Sequence, residues 1–197
     1  MTSINYDRET ALVVVDVQND FADPNGSLYV AGGEAVVPVI NTEIAVARSA
    51  GARVIYTADW HPATTPHFAK DGGIWPVHCV GDTWGAEFHP RLIVDGPVVR
   101  KGTGGEDGYS GFSVRDPESG HVTATALADQ LKRWGVNTVV VCGLATDYCV
   151  KETALDGMKG GFRVLLLEDA MLPVDLQPGD GVRALAAMVE AGCELAL

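Results

Sequence analysis

The sequence predicts a single α/β domain over residues 1–197, with a mostly parallel, doubly wound sheet of about six strands and helices on both faces, in a Rossmann-like three-layer arrangement. Short apolar, β-branched runs alternate along the chain with segments of helical periodicity. The apolar runs are nearly continuous, which is typical of parallel strands buried on both faces. Neither an internal repeat nor a linker divides the chain.

The first quarter of the chain predicts two strands and one helix. Residues 11–18 (ALVVVDVQ) form a β-branched run that ends in polar residues, which indicates the first strand. Residues 34–50 carry apolar side chains at helical spacing and stop at Gly51, a typical helix end. Residues 53–58 (RVIYTA) predict the second strand.

An irregular segment follows. Residues 59–96 are rich in Pro, His, Gly and Trp and lack periodicity, and a long segment of this kind inside a compact domain is usually functional. After it, the sequence predicts a short third strand (97–101), a Gly-rich loop (102–120), a helix (123–134) and a fourth strand (138–143). A helix (147–158), a fifth strand (163–169), a last helix (180–191) and a short sixth strand (193–197) follow.

Composition bounds the partners. The net charge of −12, from 26 acidic and 14 basic residues, repels phosphate backbones, so no nucleic acid is expected. No apolar stretch approaches the ~18 residues that span a bilayer, so no membrane partner is expected either. The N-terminus lacks a basic start followed by an apolar run, and the default expectation is a cytoplasmic location. The composition leaves open whether the chain forms a homo-oligomer.

One cysteine stands at the edge where chemistry is expected, because open α/β sheets bind ligands beyond the carboxyl ends of their strands. Cys149 lies in GLATDYCV, after the fourth strand and near the start of a helix. The positive N-terminus of a helix lowers a thiol pKa, and its free N–H groups can receive an oxyanion. Three other cysteines are interpreted as structural thiols: Cys79, Cys142 and Cys193.

Two charged residues end predicted strands at the same edge. Lys101 ends the third strand, where its ammonium could pair with a thiolate, although a solvated surface lysine is the ordinary alternative. Asp16 interrupts an apolar strand, where a carboxylate must be paired or face a polar site, and capping of a neighbouring loop is an equal alternative. Spacing alone does not identify a Cys/Asp/Lys set, because its members lie far apart in the sequence.

A cluster of ligand-type residues begins where the second strand ends. Asp59, His61 and His67 lie together in DWHPATTPH, and His78 follows in IWPVHC. Imidazole and carboxylate ligands suit zinc, iron or manganese. This density favours one divalent metal ion over isolated loop or core histidines. A metal ion that itself activates water is an alternative within the same interpretation.

Aromatic side chains in or near the same loops are candidates to enclose a flat ring; these are Phe21, Trp60, Phe68, Trp75 and Trp84. The alternative is that they pack a minor core beneath the long loop. That alternative is strongest for Trp60 and Trp84.

Six segments carry a resemblance when they are taken together; these are VVVDVQNDF (13–21), DWHPATTPHF (59–68), WPVHCV (75–80), KGT (101–103), YSGF (109–112) and GLATDYCV (143–150). Their combination and order resemble the nicotinamidase/pyrazinamidase family of the isochorismatase-like cysteine hydrolases. The likeness runs over almost the whole chain, which implies one isochorismatase-like hydrolase domain. Each segment alone is not specific, whereas the combination is.

The resemblance implies roles for particular residues. It implies Cys149 as the nucleophile, Asp16 as the proton shuttle and Lys101 as the ion-pairing cation. It also implies a cis peptide bond between Leu144 and Ala145, with the N–H groups of Ala145 and Cys149 directed at the oxyanion. The implied metal ligands are Asp59, His61, His67 and His78, although members of the family vary at the position of His67. The implied substrate-binding residues are Phe21, Trp75 and Tyr109.

The activity implied by the resemblance is hydrolysis of nicotinamide to nicotinate and ammonia through a cysteine thioester, with pyrazinamide as a second substrate. The expected partner is a small aromatic amide, the expected cofactor is one divalent metal ion, and the expected pathway is NAD salvage. Two alternatives stay open. A related enzyme would hydrolyse an acyclic amide such as maleamate or a carbamoyl compound, and a non-catalytic binding protein would use the same fold without chemistry.

Overall fold

A six-stranded sheet forms the centre of the protein in the computed structural model, which describes residues 3–196. The strands of this sheet are β1 (Thr10–Val15), β2 (Arg53–Asp59), β3 (Val98–Lys101), β6 (Thr138–Leu144), β7 (Arg163–Leu172) and β8 (Glu194–Ala196). Their order in the sheet is β3-β2-β1-β6-β7-β8, and every neighbouring pair is parallel. The prediction of a mostly parallel sheet of about six strands is confirmed.

Helices cover both faces of the sheet, so the predicted three-layer arrangement is also confirmed. The helices are α1 (Asn19–Ala22), α2 (Val36–Ser49), α3 (Leu127–Arg133), α4 (Lys151–Lys159) and α5 (Asp180–Glu190). Successive residues of β1 point to opposite faces: Leu12 and Val14 pack against α2, while Val13 and Val15 belong to the core beneath the other long helices. Burial on both faces explains why β1 is apolar at every position but its first.

The predicted Gly-rich loop at 102–120 contains a strand that the sequence did not reveal. Strand β4 (Ser113–Arg115) pairs antiparallel with β5 (Val122–Ala124) in a separate two-stranded sheet. The helix predicted over 123–134 is therefore wrong at its start, because its first residues form β5, and α3 begins only at Leu127. The β5 side chains are exposed, so no burial pattern distinguished them from a helix end.

Three other boundaries differ by more than one residue near the ends of the central strands, and one of them is the end of β7, which was predicted at residue 169 but lies at Leu172. The first strand was predicted to reach residue 18 but ends at Val15, because Asp16 adopts a left-handed backbone conformation with φ of 48°. The helix in this region was predicted to start at residue 147, but Thr146–Val150 form a π-helical turn and α4 starts only at Lys151. The predicted final strand is present as β8, while Leu197 lies outside the described residues.

The strand order creates a switch point at the middle of the sheet. The chain builds outward from β1 through β2 to β3 on one side, and from β6 through β7 to β8 on the other. In open α/β sheets, the crevice beyond the carboxyl ends of the strands at such a point binds ligands.

No helix within residues 3–196 has the length and apolarity needed to cross a bilayer.

Candidate active site

Four adjacent strands, β3, β2, β1 and β6, bring four predicted site residues to one edge of the sheet. Lys101, the last residue of β3, pairs in register with Asp59, the last residue of β2. Asp16 follows β1 directly, and Cys149 lies in the turn that follows β6. All four side chains are buried. The fold thus collects two carboxylates, an ammonium and a thiol that are far apart in the sequence.

Lys101 is a fully buried cation that is surrounded by oxygen atoms. Its Nζ lies 2.6 Å from Asp16 Oδ2 and also donates to Asp59 Oδ1 and to the carbonyl oxygen of Gly108. Burial alone would lower the pKa of Lys101, but the two carboxylates outweigh it and hold this pKa well above the usual value. Lys101 is therefore a permanent positive charge, and the surface-lysine alternative is wrong.

Asp16 has one oxygen held and one oxygen turned towards the cation. Thr57 Oγ1 donates to Asp16 Oδ1 at 2.6 Å, while Oδ2 faces Lys101. Burial raises the pKa of Asp16 to about 6, against the opposing effect of the Lys101 ammonium. This pKa suits a group that must accept and return a proton near neutrality. Thr57 was not predicted, since it lies within an apolar strand and 41 residues from its partner.

Cys149 lies within reach of the cation, with its Sγ 3.6 Å from Lys101 Nζ. Contrary to the expectation from a helix N-terminus, its thiol pKa is raised, because burial outweighs the attraction of Lys101. The physical reason is the burial of the residue, which is only 7% exposed. The resting group is therefore a neutral thiol, which needs a nearby base before it can attack.

The turn that carries Cys149 is fixed at both ends. The carbonyl oxygen of Ala145 accepts from the N–H of Tyr148 and from that of Val150, each at 3.1 Å. The peptide bond between Leu144 and Ala145 is cis, as the resemblance implied. Both oxygens of a buried carboxylate, Asp147, accept backbone N–H groups at 2.9 Å, from Val174 and Asp175. The sulfur is thus carried by a segment with little freedom to shift.

Three histidines form a buried cluster beside the charged residues. The ligand-type atoms of His61, His67 and His78 lie within 4.8 Å of one another. Asp59 links this cluster to Lys101. Its Oδ1 accepts from Lys101 Nζ, while its Oδ2 lies 3.8 Å from His61 Nε2 and 3.9 Å from His78 Nε2. Two ligands of one ion span such distances when each bond is roughly 2 Å long. The fourth histidine of this part of the chain, His89, is not in the cluster.

Two of these rings are oriented by outer partners. His67 Nδ1 lies 2.7 Å from Asp107 Oδ1, and His78 Nδ1 lies 2.8 Å from a backbone carbonyl oxygen. Because both partners are acceptors, Nδ1 carries the proton and Nε2 presents its lone pair to the cluster. Burial lowers the pKa of His78 to about 4, so this ring is neutral, as a metal ligand must be.

The residues present fit a divalent ion. Both ring nitrogens of His61 are buried and lack a hydrogen-bond partner among residues 3–196. A buried polar group without a partner costs free energy, and a bound ion would satisfy it. Burial alone would raise the pKa of Asp59, but Lys101 and the nearby imidazoles hold it well below the usual value, so this carboxylate stays ionised.

A narrow cavity opens between the cluster and the thiol. Its walls include Asp59 and Cys149, two of the histidines and several apolar or aromatic side chains. The lining residues are Phe21, Leu28, Asp59, His67, Trp75, His78, Gly108, Tyr109, Ala145, Tyr148, Cys149 and Val174. Trp75 Nε1 donates to the hydroxyl of Tyr109 at 2.7 Å, and the Trp75 ring meets Tyr148 edge-on with centroids 4.8 Å apart. Tyr148, Leu28 and Val174 were not predicted as lining residues.

The other predicted aromatic candidates lie elsewhere. Phe68 is fully buried and packs edge-on against His61 beneath the cluster. Trp60 is covered by the Arg100 guanidinium at 3.7 Å, and Trp84 is about half exposed. These three residues do not line the cavity. Of the five aromatic candidates in these loops, Phe21 and Trp75 line the cavity, and so does Tyr109, which the resemblance implied as a substrate-binding residue.

Comparison with known proteins identifies the family of the chain. The isochorismatase domain family matches residues 10–196. The chain is 40% identical to the nicotinamidase/pyrazinamidase of Mycobacterium tuberculosis over 94% of this chain and 97% of that protein. The pyrazinamidase of Pyrococcus horikoshii, solved in complex with zinc, is similar with a TM-score of 0.84 at 42% identity, over 95% of this chain and 98% of that one.

A third relative was solved with a small aromatic acid. PnC1 from L. infantum, in complex with nicotinate, superposes with a TM-score of 0.88 at 36% identity, over 98% of this chain and 96% of that one. The matches cover nearly the full length of both proteins in each pair, so they concern the whole fold and not one motif. The chain therefore belongs to the isochorismatase family, in the group that contains the nicotinamidases and pyrazinamidases.

Proposed function

We propose that this protein is a nicotinamidase, which hydrolyses nicotinamide to nicotinate and ammonia and also accepts pyrazinamide. The observation that carries the proposal is the cavity, which is lined at once by Cys149, by two histidines of the cluster and by aromatic residues. A small aromatic amide suits this combination, because its ring faces, its ring nitrogen and its carboxamide each meet a group of matching chemistry.

In the proposed first half-reaction, Asp16 accepts the proton of the Cys149 thiol while the sulfur bonds to the amide carbon. The carbonyl oxygen becomes an oxyanion, which the N–H groups of Ala145 and Cys149 stabilise. When the carbonyl reforms, the carbon–nitrogen bond breaks, and Asp16 returns the proton to the leaving ammonia. The product of this half is a thioester on Cys149.

In the second half-reaction, Asp16 takes a proton from water as the water oxygen attacks the thioester. The carbon–sulfur bond breaks and the sulfur recovers its proton from Asp16, while the acid that leaves gives its remaining proton to solvent and becomes nicotinate. The positive charge of Lys101 stabilises the ionised forms of both groups that take part in the two steps, because its Nζ lies 3.6 Å from the Cys149 sulfur and 2.6 Å from the Asp16 carboxylate.

We propose that Asp59, His61, His67 and His78 hold one divalent ion, which is zinc, iron or manganese. When bound, such an ion supplies a Lewis-acidic site for the ring nitrogen of the substrate. The unpartnered ring nitrogens of His61 support this assignment, as does the zinc in the P. horikoshii relative. Phe21, Trp75 and Tyr109 would enclose the ring, which orients the carboxamide towards Cys149.

The product of this reaction suggests a role in pyridine nucleotide biosynthesis, as a step of NAD salvage. A cytoplasmic location, a single domain over the whole chain and assembly into a homo-oligomer stay predictions.

The first test measures ammonia release from nicotinamide, pyrazinamide, maleamate and a carbamoyl amide by the purified protein, with its metal content determined on the same sample. We expect turnover of the two aromatic amides and little of the acyclic ones. Preference for maleamate or the carbamoyl amide would overturn the proposed substrate class. Release from none of the four would favour a non-catalytic protein.

The covalent route is tested by Cys149→Ala, for which we expect a loss of turnover of more than about 10³-fold, because no other group in the cavity can form the thioester. Cys193→Ala is the matched control, since that cysteine is also buried but lies away from the cavity. The control should retain activity. A Cys149→Ala enzyme with more than a trace of turnover would contradict the thioester.

A further inference from the structure

A carboxylate outside the proposed ligand set contacts one of its histidines. Asp107 Oδ1 lies 2.7 Å from His67 Nδ1, although the two residues are 40 positions apart in the sequence. The His67 side chain is 4% exposed and that of Asp107 is 17% exposed, so bulk water does not replace this bond easily. The contact joins the irregular 59–96 segment to the loop that follows β3.

The backbone around Asp107 fixes where its carboxylate lies. Asp107 and Arg115 exchange two antiparallel backbone hydrogen bonds, at 2.8 and 3.0 Å. This pairing continues the β4–β5 hairpin, since Arg115 is the last residue of β4. Asp107 is therefore anchored by the hairpin independently of His67, and it can impose an orientation on the imidazole.

The next two residues contact the other parts of the site. The carbonyl oxygen of Gly108 accepts from Lys101 Nζ, and the hydroxyl of Tyr109 accepts from Trp75 Nε1 at 2.7 Å. Three consecutive residues thus bond to a histidine of the cluster, to the buried cation and to the aromatic wall. We call residues 107–109 the bridging segment.

We propose that Asp107 is a positioning residue, which holds His67 in the tautomer and orientation that let it bind the divalent ion. This inference rests on the proposed function, because it needs the ion. A carboxylate only accepts, so the bond keeps the proton on Nδ1 and leaves the Nε2 lone pair for the ion. The His78 ring has an equivalent partner in the carbonyl oxygen of Pro76, whereas His61 has none among residues 3–196.

The test measures zinc affinity directly, by competition with a chromophoric chelator on protein that has been stripped of metal. Loss of an outer partner of this kind typically weakens metal binding 10–100-fold, and we expect about this loss for Asp107→Ala. Asp107→Asn should fall between Asp107→Ala and the unaltered protein, because the amide oxygen can still accept from Nδ1–H but carries no charge. Glu106→Gln is the matched control, since that neighbouring carboxylate bonds to the N–H of Gly104 and should leave affinity unchanged.

A double substitution separates positioning from a structural role. If Asp107 acts through His67, Asp107→Ala should cause no further loss of zinc affinity in a His67→Ala protein. A full additional loss in that background would overturn the proposal, and so would zinc binding by Asp107→Ala within about twofold of the unaltered protein. If zinc binding by Asp107→Ala is nearly unchanged and the protein still hydrolyses nicotinamide, the inference about Asp107 fails but the proposed function stands. Absence of zinc binding in the unaltered protein would overturn the inference together with the proposed ion.

Discussion

Asp16 illustrates how one residue receives its function from its neighbours. Its carboxylate has no exposed surface, and burial raises its pKa to about 6 even though a cation lies 2.6 Å away. Above that pH the group is ionised and can accept the thiol proton. Below it the group already holds a proton, so the proposed first step stops. The hydrogen bond from Thr57 favours the ionised form and opposes part of the rise.

We predict that kcat/KM declines on the acidic side with a midpoint near pH 6, or lower when a divalent ion near Asp59 further favours the ionised form. Thr57→Val keeps the size of the side chain but removes the donor. It should raise the pKa of Asp16 and shift the acidic limb to higher pH. Ammonia release measured from pH 4 to 9 provides the profile of each enzyme.

Thr10→Val is the control for this shift, since Thr10 is also a buried β-strand threonine but bonds to Asp7 at the opposite end of β1. Its profile should match that of the unaltered enzyme. An acidic limb in Thr57→Val that is unmoved, or that moves to lower pH, would contradict the role given to Asp16.

The sequence identified the reactive residues more easily than it identified the residues that position them. Cys149 and Lys101 were identifiable because their motifs resemble a known family. Thr57 and Asp107 were not, because each acts through a single hydrogen bond to a partner about 40 positions away. The raised pKa of the Cys149 thiol was also missed, since the sequence reveals a helix start but not how completely the sulfur is buried.

At the scale of elements, the carboxyl ends of β1 and β6 must lie very close together. Gly143, near the end of β6, pairs with Val15 and has φ of 113°. A Cβ atom at this position would lie 2.1 Å from the carbonyl oxygen of Val15. The absence of a side chain thus lets the two strands that carry Asp16 and Cys149 approach each other.

We predict that Gly143→Ala destabilises the protein by about 1–3 kcal/mol more than Gly135→Ala, because this is the typical cost of overpacking in a packed core and both positions carry a similar conformational penalty. Gly135 is a close control: it also has positive φ, of 73°, but a Cβ there meets nothing within 4 Å. Urea denaturation measures both free energies of unfolding. Equal losses in the two variants would show that the close approach of β1 and β6 does not need glycine.

The elements that the sequence revealed are those with a burial pattern. The strands β1, β2, β6 and β7 were predictable because their apolar runs are long or continuous. The β4–β5 hairpin was not, because each of its strands has three residues and neither strand is buried. This hairpin anchors Asp107, so the least predictable element of the fold contacts the candidate site.

On the scale of the whole molecule, two separate cores lie on the two faces of the sheet. Alternating strands and helices predict this arrangement, since right-handed crossovers place helices on both faces. The order of the strands does not follow from the pattern, because β1, β2, β6 and β7 are all largely buried and any of them could be central. That order decides which side chains meet, so the site could be named from its motifs but not assembled from them.

The histidine cluster links the irregular 59–96 segment to the sheet, and ion binding should therefore stabilise the entire fold. An ion that binds only the folded chain adds about 2.7 kcal/mol at a free concentration one hundred times its Kd. We predict that thorough chelation lowers both Tm and ammonia release, and that zinc, manganese or ferrous iron restores both. Thermal unfolding and turnover are measured on the same samples.

Two histidine variants complete this experiment. His61→Ala should lose the response of Tm to added ion, because it removes a ring from the cluster. His89→Ala should keep the response, since His89 lies in the same irregular segment but outside the cluster. A Tm and a turnover that are both indifferent to chelation would mean that the cluster has only a structural role.

The surroundings of Lys101 limit which basic side chain this position accepts. A lysine ammonium offers three N–H bonds, and here they are donated to Asp59 Oδ1, to the carbonyl oxygen of Gly108 and to Cys149 Sγ, while Asp16 Oδ2 forms an ion pair with the same nitrogen at 2.6 Å. A guanidinium would bring five N–H bonds in a planar fork to the same enclosed space. At least one of the five would find no acceptor among these four atoms, and a planar fork needs more room than the single nitrogen that it would replace. Arginine and lysine, which many surface positions exchange freely, are therefore not equivalent here.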